Sequence, residues 1–174
     1  MMANHVASKV FTSRAKVEKN RSQKLVLLRK ALWYRKQSGD LDAKISSRSD
    51  RWNRGLHDNY LADIELDRAT SVNDPRLKTK ILLKAILLKE NCLKLCGADK
   101  YVLIWPDGPS PYYGFLGRYQ LQCGEMYTQL FDVRREQTDL KRADEKFRLA
   151  ADSFQKVGQR TRAAEYVFLY AVRP

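Results

Sequence analysis

The sequence predicts an all-α fold, a helical bundle with one buried central helix and helical hairpins at its C-terminal end. The first observation is an apolar segment at 75–96, which lies between a helix start signal, Asp74-Pro75, and a stop signal, Gly97. The second is composition, because eight Gly and five Pro in 174 residues are too few for the turns of a many-stranded sandwich. The third is that Leu and aromatic residues elsewhere recur at steps of three and four residues.

The central helix, predicted over 75–96, carries apolar residues around nearly its whole circumference, most densely in the run 81–88. A helix that is apolar on all sides is usually buried inside a protein. This one is too short to span a membrane, and lysines interrupt it. We therefore expect the other helices to pack around it, within a helical core at 40–105.

The net charge of +13 is concentrated at the N-terminus. Residues 1–39 contain ten basic residues and a single acidic one, Glu18, a net charge of +9, whereas residues 40–174 contain 23 basic and 19 acidic residues, a net charge of +4. Such a segment is attracted to nucleic acid, to an anionic membrane surface or to an acidic protein face. A solvated helix without a partner is the plain alternative.

Residues 1–13 contain no acidic residue and show weak periodicity, so we expect a flexible lead before the first helix. A basic, acid-poor start also meets the loose description of an organelle transit peptide. The three cysteines are an odd number without a secretory signal, which favours a reducing intracellular compartment. The compartment stays open between cytoplasm and organelle, with mitochondrial import as one alternative.

The first helix is predicted at 14–37, with an apolar face at Leu25, Leu28 and Leu32 and a basic face on the other side. We expect the basic residues of this segment to bind phosphates or an acidic surface. They are Lys16, Lys19, Arg21, Lys24, Arg29, Lys30, Arg35 and Lys36. Membrane binding is disfavoured, because Trp33 and Tyr34 are few anchors and the Leu face is needed for the core.

A second helix is predicted at 41–69, where large apolar residues recur at mostly four-residue steps. Its acidic face carries Asp58, Asp63, Glu65 and Asp67, which are candidates to pair with the basic residues of the first helix. An apolar stretch at 100–105 then suits an extended segment laid along the helices. A Pro/Gly-rich break at 106–111 divides the helical core from the last third of the chain, 112–174.

The last third contains a degenerate repeat with an offset of 34 residues. Four pairs of positions carry it: Tyr113 with Phe147, Leu116-Gly117 with Ala150-Ala151, Gly124 with Gly158, and Val133 with Val167. This pattern resembles the tetratricopeptide repeat, a family of helical-hairpin scaffolds that bind proteins. The resemblance implies helices at 111–123, 126–137, 139–157 and 161–172, although Gln129 stands where the repeat expects Ala. A plain antiparallel bundle with one long helix at 112–136 is the alternative.

Two groups of residues in this third are candidates for partner binding. Stacked repeats need a polar cap, yet the chain ends on an apolar segment, which predicts that a protein partner, a second copy or the N-terminal helices cover it. Its residues are Tyr166, Phe168, Leu169 and Tyr170. The other group surrounds an arginine and would form an interaction hot spot if exposed, or fill a seam if buried. Its residues are Tyr112, Tyr113, Arg118 and Tyr119.

Residues that suggest catalysis are few. The two histidines, His5 and His57, have no nearby Cys or Asp arrangement, and the three cysteines lack a fourth ligand for zinc. We expect no enzyme, metal or cofactor. The sequence predicts a non-enzymatic scaffold or adaptor subunit of a larger assembly, which docks on an acidic surface through its basic helix. An RNA-associated subunit of a ribonucleoprotein, which binds phosphates through the same helix, is the alternative.

Overall fold

The structure is a computed structural model and describes residues 2–45, 51–97 and 109–157. Helices make up nearly all of these ranges, and no strand occurs within them, so the predicted all-α class is confirmed. They are α1 Met2–Val17, α2 Arg21–Ile45, α3 Arg51–Thr70, α4 Pro75–Cys96, α5 Pro109–Arg134 and α6 Gln137–Lys156.

The chain forms two compact units, Met1–Cys92 and Leu93–Pro174, and the boundary between them lies in the last turn of α4. The predicted break at 106–111 is therefore not the boundary between the units. Its described part already belongs to α5, because Pro109 takes the first helical position, where proline is favoured. The predicted extended segment at 100–105 lies outside the described residues.

Two helices, not one, begin before residue 40, because the chain turns at residues 18–20. Asn20 starts α2, since its Oδ1 accepts the backbone N–H of Gln23 at 3.1 Å. The predicted flexible lead is instead part of α1. Its packing face consists largely of small residues that apolar periodicity does not detect: Ser8 and Ala15 are buried, and the Ser8 hydroxyl donates to the Ala31 carbonyl at 2.9 Å.

The glycine predicted to end the first helix, Gly39, lies inside α2, which continues to Ile45. A Cβ at Gly39 would lie 2.3 Å from the imidazole of His57, so the residue permits a close approach to α3 rather than a turn. The next helix begins at Arg51, ten residues after the predicted start at 41.

The core of the N-terminal unit is a cluster of Leu, Ile and Ala side chains from α1, α2 and α3, and Leu88 of α4 packs against it. The bounds of α4 match the prediction, and Asp74 Oδ1 accepts the backbone N–H of Arg76 at 3.0 Å, as expected of a cap. The expected all-round burial is wrong. Leu83 and Leu87 are 42% and 68% exposed, because the neighbouring helices cover only one side of α4.

Charged side chains also lie inside this unit. Lys89 of α4 is fully buried, and its Nζ donates to Asn59 Oδ1 at 2.5 Å and to Asp63 Oδ1 at 2.9 Å. Glu65 of α3 is also fully buried, and it pairs with the cations of two exposed or half-buried residues, Lys84 and Arg68. The contact between α3 and α4 is therefore partly ionic.

The C-terminal unit contains an antiparallel hairpin of α5 and α6. Arg135 adopts a left-handed conformation with φ of 58°, which ends α5. No turn occurs at Gly124, where the predicted repeat register requires one, because residues 109–134 form a single helix. Gly124 instead accommodates an aromatic ring, since a Cβ there would lie 2.6 Å from Phe147. The second predicted turn, at Gly158, lies outside the described residues, and the tetratricopeptide resemblance as a whole stays a prediction.

Candidate interaction surface

One side of α2 presents an exposed tryptophan among cations. We define the outer face of α2 as Val26, Arg29, Lys30, Trp33 and Lys36, all of which are exposed. The helical period places residues at i−4, i−3 and i+3 next to position i, so the three cations surround the indole. Trp33 exposes 57% of its surface, which is unusual for a large aromatic residue in a monomer and marks a candidate contact site.

Trp33 is supported by two further aromatic rings. Tyr34 meets the indole edge-on, with ring centroids 4.8 Å apart, and Phe11 of α1 stacks on Tyr34 at 5.5 Å. The Lys30 ammonium lies 5.6 Å from the centre of the Phe11 ring. The α1–α2 hairpin therefore holds this aromatic group in place before any partner binds, which lowers the entropic cost of binding.

The predicted pairing between the acidic face of α3 and the basic first helix is largely wrong. Asp63 pairs with Lys89, and Glu65 pairs with Lys84, so cations of α4 take up these two charges. The physical reason is that α4 carries lysines within direct reach of α3.

The remaining acidic residues of that face divide in the same way. Asp58 Oδ2 accepts a hydrogen bond from the amide of Asn91, also on α4. Asp67 is the exception, because Lys16 and Lys24 exert an electrostatic effect on its carboxyl. Burial is the larger influence there and raises the pKa of Asp67. Among the described residues, the cations of the outer face of α2 form no salt bridge, so no neighbouring carboxylate neutralises their charge.

The structure separates the eight predicted basic residues. Six of them are exposed, Lys24 is half-buried and Arg35 is buried. The exposed ones are Lys16, Lys19, Arg21, Arg29, Lys30 and Lys36. Two of the eight have structural contacts. Arg21 donates to the carbonyl of Ser71 and to the side chain of Asn73, which ties α2 to the α3–α4 loop. Arg35 is 7% exposed, and its guanidinium lies 4.3 Å from the centre of the Tyr60 ring.

Two exposed cations of α1, Lys9 and Arg14, were not among the predicted binding residues. Sequence reasoning passed over them because the segment around Lys9 was expected to be an unstructured lead. Ser8, Phe11 and Ala15 are spaced at i, i+3 and i+7, which indicates a packed helix only if small residues are counted together with large apolar ones.

The predicted aromatic cluster of the C-terminal unit is divided between core and surface. Tyr112 and Tyr119 are 1% and 8% exposed, and the Tyr112 hydroxyl donates to the Cys96 carbonyl at 3.0 Å. These two residues are core residues, so the prediction that they contact a partner is wrong. Tyr113 is half-buried, with the ammonium of Lys156 4.8 Å from the centre of its ring.

Arg118 is the member of this cluster that is exposed, and its guanidinium lies 5.8 Å from the ring centre of Phe115, which is 37% exposed. The predicted partner-binding residues of the last segment, Tyr166, Phe168, Leu169 and Tyr170, lie outside the described residues. Their role stays a prediction.

The remaining groups that could support other chemistry are thiols and potential metal ligands. Cys92, Cys96 and Cys123 are buried free thiols. Within residues 2–45, 51–97 and 109–157, no group of three or more His, Cys, Asp and Glu side chains has an arrangement suited to a metal ion. Nor do these residues include a helix that is both long and apolar enough to cross a membrane.

Comparison with known proteins gave no relatives. No protein-family model matches the chain, and neither a curated protein nor a solved structure is significantly similar to it.

Proposed function

We propose that this chain is a non-enzymatic helical adaptor that docks on an acidic partner surface through the outer face of α2. The observation that carries the proposal is Trp33, exposed and surrounded by Arg29, Lys30 and Lys36. Trp and Arg are the residue types most enriched in binding hot spots, and an anchor of this kind suits a partner with an apolar depression inside an acidic rim.

The charge distribution supports the same proposal. Residues 1–39 hold nine of the thirteen net positive charges. Lys84 and Lys89 pair with acidic residues of α3, so those acids do not neutralise the outer face of α2. Unneutralised charge steers an acidic partner during encounter and raises the association rate.

A second candidate function is binding of single-stranded RNA by the same face. The observation in its favour is the group of three aromatic rings, Phe11, Tyr34 and Trp33, next to Lys30. Unpaired bases stack on exposed aromatic rings while neighbouring cations contact the phosphates. A base stacked on Trp33 contributes roughly 1–3 kcal/mol, whichever base it is.

The test is fluorescence anisotropy of the full chain with a labelled glutamate homopolymer and with labelled oligouridylate at physiological salt. The first variant carries R29Q, K30Q and K36Q, and its control carries R76Q, K80Q and K94Q, which removes the same kinds of charge from the exposed side of α4. We expect the first variant to lose about tenfold or more in affinity for the acidic probes, while the control keeps its affinity. Equal losses in the two variants would contradict a localised docking face.

The W33A variant then separates the two candidates. If the adaptor proposal is correct, binding of the glutamate homopolymer persists in W33A, because that probe offers no apolar contact, and oligouridylate binds no more tightly than the homopolymer. Tighter binding of oligouridylate that falls at least fivefold in W33A would favour the RNA function, because that loss corresponds to one base-stacking contact.

A further inference from the structure

A cavity of about 280 Å³ lies between α1, α2 and α3 of the N-terminal unit. Its volume is near the lower end of the range found for small-molecule sites. Ile64 is the one aliphatic residue among the lining residues, and the others are polar, charged or aromatic. Apolar atoms of these side chains form most of the cavity surface, and polar and charged groups from three helices interrupt it.

Cations lie on the α1 and α2 sides of the cavity. Lys9 and Lys16 come from α1, seven residues apart and therefore on one face of that helix, and Arg35 comes from α2. Arg35 is 93% buried, and its guanidinium is held by contacts with the Tyr60 ring and with His5. An oriented guanidinium is suited to bind a carboxylate or a phosphate.

The contact between Arg35 and His5 also defines the histidine. A guanidinium only donates hydrogen bonds, so Nδ1 of His5 accepts the bond from Arg35. The cationic residues that line the cavity are Lys9, Lys16 and Arg35.

Hydrogen-bond acceptors lie on the opposite side. Asp63 and Asp67 are one helical turn apart on α3 and both line the cavity. Asp63 already pairs with Lys89, whereas burial is the main influence on Asp67 and raises the pKa of its carboxyl. Among the described residues Asp67 forms no salt bridge, although Lys16 and Lys24 exert an electrostatic effect on its carboxyl, so a ligand ammonium group could still pair with it directly.

Two hydroxyl groups add to the acceptor set. The Ser8 hydroxyl donates to the carbonyl of Ala31, and the Thr12 hydroxyl donates to the carbonyl of Ser8, each at 2.9 Å. With their protons used in this way, both oxygens have only lone pairs left for a ligand. Ser8 and Thr12 line the cavity on the α1 side, next to Lys9 and Lys16, whereas the carboxylates lie on the α3 side.

We propose that this cavity binds a small zwitterion of the amino-acid class, with its anionic group at Arg35 and Lys9 and its ammonium group at Asp67. A plain anion would meet the carboxylates of Asp63 and Asp67, and a plain cation would meet three positive side chains. A zwitterion satisfies both sides at once. The site is separate from the docking proposed for the outer face of α2, and either proposal stands without the other.

The test is isothermal titration calorimetry of the full chain with glycine, 4-aminobutyrate and 6-aminohexanoate, which differ in the distance between the two charged groups. Butyrate and butylamine are the matched single-charge probes for 4-aminobutyrate, and hexanoate and hexylamine for 6-aminohexanoate, all at equal ionic strength. We expect 4-aminobutyrate or 6-aminohexanoate to bind at least about tenfold more tightly than both of its single-charge probes, since each lost charge-assisted contact weakens binding about tenfold.

Variants place the binding in the cavity. We expect D67N and K9Q each to weaken zwitterion binding about tenfold. The controls D40N and K80Q, which change exposed residues outside the lining, keep it unchanged. Circular dichroism checks that each variant is folded, and Arg35 is left intact because it is buried.

The proposal is overturned if no zwitterion binds at millimolar concentration, if butyrate or hexanoate binds as tightly as its zwitterion, or if the controls lose as much affinity as D67N and K9Q.

Discussion

The two units of this chain are stabilised by different kinds of contact. In the N-terminal unit, Glu65 and Lys89 are fully buried charges that join α3 to α4 beside a core of Leu, Ile and Ala. In the C-terminal unit, aromatic rings lie against glycines, as Phe147 does at Gly124 and Phe154 at Gly117. Buried charges are therefore more prominent in the first unit and ring-to-glycine packing in the second, although Gly39 meets the His57 ring in the first and the buried Asp139 pairs with Arg134 in the second.

This difference also affects what each unit leaves exposed. The ion pairs between α3 and α4 use acidic residues of α3, so positive charge remains on α1 and α2. In α6, by contrast, exposed charges pair locally, as Arg148 does with Asp144 at 2.6 Å. Local pairs of this kind contribute little free energy, and they reduce the net field that a partner meets. The N-terminal unit is therefore the one that keeps exposed positive charge on α1 and α2.

The largest expected effect concerns the buried ammonium of Lys89. We expect D63A to lower the free energy of unfolding by about 3 kcal/mol, because it removes the carboxylate from a fully buried cation. K89M is expected to cost only about 1 kcal/mol, since the side chain of Asp63 is 43% exposed and water can solvate it. Urea unfolding followed by circular dichroism measures both. If K89M lowered the free energy of unfolding as much as D63A does, an unpaired buried lysine would not be the main cause of the loss in D63A.

The second effect concerns shape in the C-terminal unit. A Cβ at Gly124 would lie 2.6 Å from the Phe147 ring, whereas a Cβ at Gly114 meets nothing within 4 Å. We expect G124A to destabilise the protein by about 1–2 kcal/mol through overpacking. G114A, on the same helix, is expected to stabilise it by up to about 1 kcal/mol, because alanine favours a helix.

Hydrogen exchange of the α5 and α6 amides shows where along these helices G124A and G114A change the local stability. If G124A were as stabilising as G114A, the ring of Phe147 would have room to move, and the close packing inferred here would be wrong.

The sequence predicted the helical class and the bounds of α4, because proline, a capping aspartate and a dense apolar run act locally. It did not predict the path of α1, whose packing face uses Ser8 and Ala15, residues that hydrophobic periodicity does not count. Two glycines have roles other than those that the sequence predicted. Gly39 and Gly124 looked like stop or turn signals, yet each permits the close approach of a ring from another helix.

The candidate site was predicted in part. The basic segment was evident from its charge, and Trp33 lies within it. The sequence could not show which cations stay exposed, because the burial of Arg35 and the tie between Arg21 and the α3–α4 loop depend on helices that are distant along the chain. Nor could it show that α4, not the first helix, pairs with Asp63 and Glu65, since charge alone does not identify the neighbour.

The smallest effect concerns Asp67 and depends on pH. Burial raises its pKa in the folded protein above the ordinary value of 3.8. Between the two values the folded state holds more protons than the unfolded state, so the free energy of unfolding falls as pH rises through that window.

D67N removes the ionisable group and with it the free-energy cost of burying a charged carboxylate. We expect D67N to unfold at a higher temperature than the native chain at pH 7, and this gain to shrink as pH falls through the raised pKa. D40N, an exposed change on α2, is the control and should show no such trend. A gain that is independent of pH would show that the amide stabilises α3 for another reason and that the carboxyl of Asp67 is well solvated.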